Sequence, residues 1–105
     1  MNVQLQVAES VKKFIESRNK DTRARIVKTI DLLRDYGYEL KMPHSRMITR
    51  GVYELRVLGK ENIRLFYSFR KSSAFLFCTM VKKTQKLSKH DLQNIIRKQK
   101  EFGLD

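Results

Sequence analysis

The stretch GVYELRVLGKENIRLFYSF, Gly51 to Phe69, decides the fold of this chain. GVYELRVL, Gly51 to Leu58, alternates, with Tyr53, Leu55 and Val57 on one face. IRLFYSF, Ile63 to Phe69, alternates in the same way, with Ile63, Leu65, Tyr67 and Phe69 together. Gly59 to Glu61 reads as the turn between them. If Leu55 and Val57 face the core, Leu65 and Ile63 face it too, and a slip of one residue would turn all four outward. Pairing Val57 with Ile63 sets Arg56 directly opposite Arg64 on the other face, with Glu54 and Phe66 beside them. Like charges placed opposite each other destabilise a strand pair. Three readings stand at this point: an anionic partner, compensation by Glu54, or a plain solvated sheet face.

Working outward, Arg70 to Ser73 is a second turn, and AFLFCTMV, Ala74 to Val81, is apolar throughout. Such a run suits a strand central in the sheet or covered on both sides. KKTQK, Lys82 to Lys86, follows at the strand end. Ser88 with Asp91 is a capping-box pattern, opening a last helix with Leu92, Ile95, Ile96 and Phe102 on its apolar face and His90 toward solvent. Upstream, Glu39 to Arg50 holds the only proline and reads as a loop. A helix from Ile26 through Ile30 and Leu33, its stripe widened by Val27, is expected to be capped by Asp21 and to end at Gly37. A shorter helix, Ala8 to Arg18, precedes it and pairs with it. MNVQLQV, Met1 to Val7, is a weak first strand. The order β-α-α-β-β-β-α gives an α+β fold, an N-terminal helical pair packed on a small antiparallel meander sheet. The 105 residues carry no repeat and no linker, so residues 1–105 are expected to form one domain.

Lysine and arginine total 23 against 11 acids, a formal charge of +12. An excess of this size repels itself in a folded chain and usually serves a partner. Nucleic acid is the first candidate and an acidic protein the second. An anionic membrane ranks third, without a basic amphipathic helix or an apolar run of bilayer length to support it. The single cysteine, Cys78, sits in an apolar run and is expected to be a buried, inert thiol in a reducing cytoplasm. Two histidines and one cysteine are too few and too scattered for the usual metal spacings, so chemistry without metal or cofactor is expected.

GVYELR, then IRLFY, then an apolar strand ending in KKTQK, then a final helix, resembles the RelE/ParE superfamily of type II toxins, the HigB-like branch in particular. The likeness spans most of the chain and is strongest from Met42 to Lys86. It implies a RelE-like fold and, for many members, a metal-independent endoribonuclease that cleaves mRNA on the ribosome. The implied step is attack of a ribose 2′-OH on the adjacent phosphate to give a 2′,3′-cyclic phosphate. The resemblance also implies two partners: mRNA with the rRNA-lined ribosomal A site, and a helix-turn-helix antitoxin that covers the toxin. No membrane is implied.

Transferred position by position, Arg64 matches the phosphate-stabilising arginine, and a guanidinium fork suits two phosphate oxygens. Arg56 supports it. Lys82, Lys83 and Lys86 match the basic segment, with one amine for phosphate and another for proton exchange, since neighbouring cations lower a lysine pKa. Glu54 and Phe66 are expected at the RNA, with Phe66 or Tyr53 as a stacking ring, although parity puts Tyr53 on the core face. His44 falls near a position where some relatives place an acid or base. Two other function classes fit the same fold: a ParE-type DNA gyrase inhibitor, and a non-catalytic RNA-binding module.

Overall fold

The computed structural model describes residues 2–82 and 86–105. The element order is β1 (Gln4–Val7), α1 (Glu9–Glu16), α2 (Lys20–Tyr36), β2 (Ser45–Thr49), β3 (Val52–Val57), β4 (Ile63–Arg70), β5 (Ser73–Val81) and α3 (Lys89–Glu101), with a single 3-10 turn over Gly37–Glu39 after α2. One five-stranded sheet runs in the order β1-β5-β4-β3-β2. The β3–β4 register matches the parity argument: Leu55 faces Leu65, Val57 faces Ile63, and Arg56 faces Arg64.

Three local expectations change. The segment read as a loop contains β2, which pairs antiparallel with β3 and forms one edge of the sheet. Gly51, at φ 76°, closes the tight connection between them, in a conformation that favours glycine. The sheet is therefore larger than the meander, and it is mixed, because β1 joins the far side of β5 in parallel. The α2 N-cap is Asn19, whose side-chain oxygen accepts the Thr22 N–H at 2.9 Å, and Asp21 lies in the first turn.

Helices cover both faces. On one, Val11 of α1 and Ile26, Ile30 and Leu33 of α2 bury Leu55, Val57, Ile63, Leu65, Tyr67, Ala74 and Leu76. Val27 is 52% exposed and stays out of that stripe. On the other, Ile95 of α3 and Leu104 beyond it meet Val52, Phe66, Phe77 and Cys78. The unbroken apolar character of β5 has a specific cause. Phe66 pairs with Cys78 but Tyr67 with Leu76, so Phe77 is a bulged residue. The bulge reverses side-chain parity: Ala74 and Leu76 enter the first core, Phe77 and Cys78 the second. Burial raises the Cys78 thiol pKa above its ordinary value, consistent with an inert core residue.

The sheet face that carries the arginines is thus not a solvated face. Val52, Phe66, Phe77 and Cys78 lie under α3, and Arg46, Arg56 and Arg64 gather beside them.

Candidate functional site

On the α3 side of the sheet two cross-strand rows lie next to each other. One runs Arg46, Glu54, Phe66, Cys78; the other runs Arg56, Arg64, Met80. Glu54 is 1% exposed, and its carboxylate gathers three guanidiniums. Arg56 Nε donates to Oε1 at 3.1 Å and Arg46 Nε to the same oxygen at 3.3 Å. Arg64 Nε stands 3.6 Å from Oε2, too far for a hydrogen bond, and is buried with no hydrogen-bond partner among the described residues. Its Nη1 reaches the Ile63 carbonyl at 3.5 Å. Burial lowers the Arg64 pKa, opposed by Glu54 and reinforced by Arg56 and Arg46. A guanidinium keeps its proton regardless, so three positive groups on one carboxylate leave this patch at +2.

Glu54 therefore supplies the compensation that the facing arginines need. It is buried beneath them and acts on any ligand through them, which corrects its expected place in contact with RNA. Anchoring by Nε leaves the terminal nitrogens of Arg46 and Arg56 for an anion, and their side chains are 41% and 16% exposed. Arg46 carries no sequence signal of its own, because SRMIT lacks the apolar alternation of a strand. Phe66 is fully buried against α3, so no base can stack on it. Tyr53 is half-buried on the opposite face, its ring stacked on Tyr67 at 5.4 Å.

The strand end is tied to α3. Lys82 continues the ladder, its N–H bonding the Asn62 carbonyl at 2.7 Å. Its side chain is 7% exposed, and Nζ donates to Asp91 Oδ2 at 3.2 Å and to the Lys86 carbonyl at 2.6 Å. Asp91 also accepts the Ser88 N–H at 3.2 Å while Ser88 Oγ accepts the Asp91 N–H at 3.0 Å, completing the expected capping box. The Ser88 N–H first, and the Lys82 amine next, hold the Asp91 carboxyl below its ordinary value. Lys82 thus ties the end of β5 to Lys86 and to α3 rather than offering a free amine. Lys86 is exposed, and Lys83 lies outside the described residues.

His44 stands in the turn before β2, where its carbonyl accepts the Arg56 N–H at 2.8 Å. It lines a cavity of about 300 Å³ with Leu32, Tyr36, Leu40 and Met42, beside the C-terminal end of α2. His90 is exposed on α3, as expected. A larger cavity, about 640 Å³, lies between the start of α2 and the β3–β4 turn, lined by Arg25 but by none of the three arginines around Glu54. Among the described residues no three His, Cys, Asp or Glu side chains gather as metal ligands would, and no helix is long and apolar enough to cross a membrane.

This sheet, with two helices on one face and a third on the other, is the α+β fold of the RelE toxins. The RelE chain of an archaeal RelE–RelB complex from Pyrococcus horikoshii OT3 matches with a TM-score of 0.62 at 17% identity, covering 79% of this chain and 98% of that one. A double arginine-to-alanine mutant of E. coli toxin RelE in the free state matches with a TM-score of 0.65 at 14% identity, covering 99% of this chain and 100% of that one. A family model described as phage-derived protein Gp49-like matches residues 13–100, and the chain belongs to that family. No curated protein sequence matches significantly. The superfamily resemblance is borne out; these likenesses do not single out the HigB-like branch.

Proposed function

We propose that the protein is the toxin of a type II toxin–antitoxin pair, HigB-like in type, whose single domain cleaves mRNA on the ribosome in the cytoplasm. The observation that carries this reading is the gathering of Arg46, Arg56 and Arg64 on one buried carboxylate. In the reaction a ribose 2′-OH attacks the adjacent phosphorus, the bond to the 5′-oxygen breaks, and a 2′,3′-cyclic phosphate remains. Charge builds on the non-bridging oxygens as the phosphorane forms, and preorganised cations stabilise it without reorganising. Arg64 is the central cation: its guanidinium faces Arg56 across the strand pair, only 5% exposed and 3.6 Å from Glu54, so its charge is held fixed at the phosphate. Arg56 and Arg46, oriented through Glu54, hold the same phosphate or the next one. Lys83 and Lys86, from the basic run that follows β5 in sequence, supply a further phosphate contact and the proton for the leaving 5′-oxygen. His44 is the remaining candidate for the proton at the 2′-OH.

The archaeal neighbour was solved as a RelE–RelB complex. By extension this chain takes an antitoxin, a helix-turn-helix protein that brings acidic surface to the basic face.

Mapping transcript 5′ ends in cells that express the chain tests the reading. New cuts within translated frames, absent with Arg64→Ala, are expected. Growth arrest without new cuts would refute it, and inhibited supercoiling by purified gyrase would then favour the gyrase-inhibitor class.

A further inference from the structure

An arginine cluster grips any RNA backbone, and phosphate contacts alone carry no sequence information. Reading a base takes a surface with an apolar floor and a polar wall. The aromatic rings nearest the arginines on this face cannot provide it, since Phe66 and Phe77 are fully buried. A cavity of about 260 Å³ between β2 and the start of α3 can. It is lined by Arg46, Met47, Ile48, Leu87 and Leu92. Ile48 and Leu87 pack against the second core, which gives the floor a fixed shape. Leu92 lies in the first turns of α3, whose N-terminus is locked by the capping box and by Lys82. Arg46 belongs to the cavity and to the cation cluster alike, its Nε held on Glu54 and the rest of its guanidinium plane left over. Drug-sized ligands fill pockets of about 300 to 1,000 Å³, so this one suits a smaller flat group. Guanidinium planes and apolar walls both accept the face of a base.

We infer that this cavity is a nucleobase subsite: it receives one base of a single-stranded RNA whose phosphates lie on Arg56 and Arg64, and Ile48, Leu87 and Leu92 determine which base fits. The inference rests on the RNA-cleaving reading above. Its occupant follows from continuity, because the side chain that would wall the base also belongs to the cluster that would hold the phosphate.

The test uses the purified chain and a short, fluorescently labelled 2′-O-methyl oligoribonucleotide, which lacks the attacking hydroxyl and stays intact. A single abasic position is moved along the oligonucleotide, and binding is read by anisotropy. One position should weaken binding by about 5- to 150-fold, the value of one stacked base, with less than about twofold change elsewhere. Leu92→Trp, which fills the cavity, should bind the intact oligonucleotide as weakly as the native chain binds the critical abasic one, with no further loss when the two are combined. Should that variant fail to fold, the abasic series on the native chain stands alone. A flat abasic profile with binding retained would overturn the subsite and leave the nuclease reading untouched. Absence of any binding would also overturn the subsite, and the nuclease reading would then be judged by the transcript mapping above.

Discussion

Glu54→Ala is the most informative single perturbation of the arginine cluster. The carboxylate lies 3.1, 3.3 and 3.6 Å from the three Nε atoms and is 1% exposed. At an effective dielectric of about 20, each such pair attracts by about 5 kcal/mol. Desolvation and the mutual repulsion of three guanidiniums cancel much of this. What removal leaves behind is uncompensated buried positive charge, centred on Arg64, and cases of this kind lose about 3–5 kcal/mol. Whole domains are stable by only about 5–15 kcal/mol, so the variant should retain a marginal fold. Its melting temperature should drop by at least about 12 °C, at about 4 °C or more per kcal/mol for a domain near this size. Urea denaturation with circular dichroism measures the loss directly. The same logic gives a second signature, since a phosphate ion can take the carboxylate's place. Inorganic phosphate should stabilise Glu54→Ala more than it stabilises the native chain. A stability loss below about 1 kcal/mol, or equal phosphate responses, would refute the claim that one carboxylate holds the cluster together.

Further outcomes follow from the same geometry. Arg46→Ala should lower the slope of log K against log salt for single-stranded RNA by about 0.7, the value of one phosphate contact; an unchanged slope would remove Arg46 from the site. Asp91 has a folded pKa below its ordinary 3.8, so its contribution is present above that pH and fades as pH falls through the lower folded value. Asp91→Asn should therefore be less stable than the native chain at neutral pH, with the gap closing in acid denaturation series below pH 3.8; a gap constant with pH would contradict the Lys82–Asp91 link. Tyr67 exchanges a 2.5 Å hydrogen bond with Ser45, and burial pushes its phenol up to about 12 from 10.0. The associated stability is present below pH 10 and lost toward pH 12, so Tyr67→Phe should be missing one tyrosinate that titrates late in the absorbance of the folded native chain. A missing signal at the ordinary value would show that Tyr67 is not sealed in the core.

The β3–β4 hairpin was legible because Leu55, Val57, Ile63, Leu65 and Tyr67 keep one parity across both strands, and that parity permits a single register. That register alone brought Arg56 and Arg64 face to face. β2 was not legible, because SRMIT inverts hydropathy. Ser45 is 2% exposed, where its hydroxyl meets Tyr67, while Met47 is 59% exposed. A strand that buries a serine by hydrogen bonding and exposes a methionine at a sheet edge carries no period-2 apolar signal. Arg46 was lost with that strand, and with it the link between the cation cluster and the cavity. The bulge at Phe77 was equally hidden, since a run apolar at every position looks the same with or without a parity change. Phe66 shows the opposite failure. Its place in the strand follows from parity, but its burial depends on α3 folding back over the sheet, which no local pattern specifies. Lys82 and Lys86 read alike in KKTQK, and only the position of Asp91 separates a buried fastening amine from an exposed one.

In the proposed reaction the arginine cluster stabilises a phosphorane formed by 2′-OH attack. Mass spectrometry of the fragments released from a defined mRNA on programmed ribosomes tests it most directly, with native chain and Arg64→Ala compared at equal ribosome occupancy. An upstream fragment ending in a 2′,3′-cyclic phosphate is expected, formed about 10²–10³ times more slowly by the variant. An upstream fragment that ends in a 3′-hydroxyl, or equal rates for the two proteins, would contradict it.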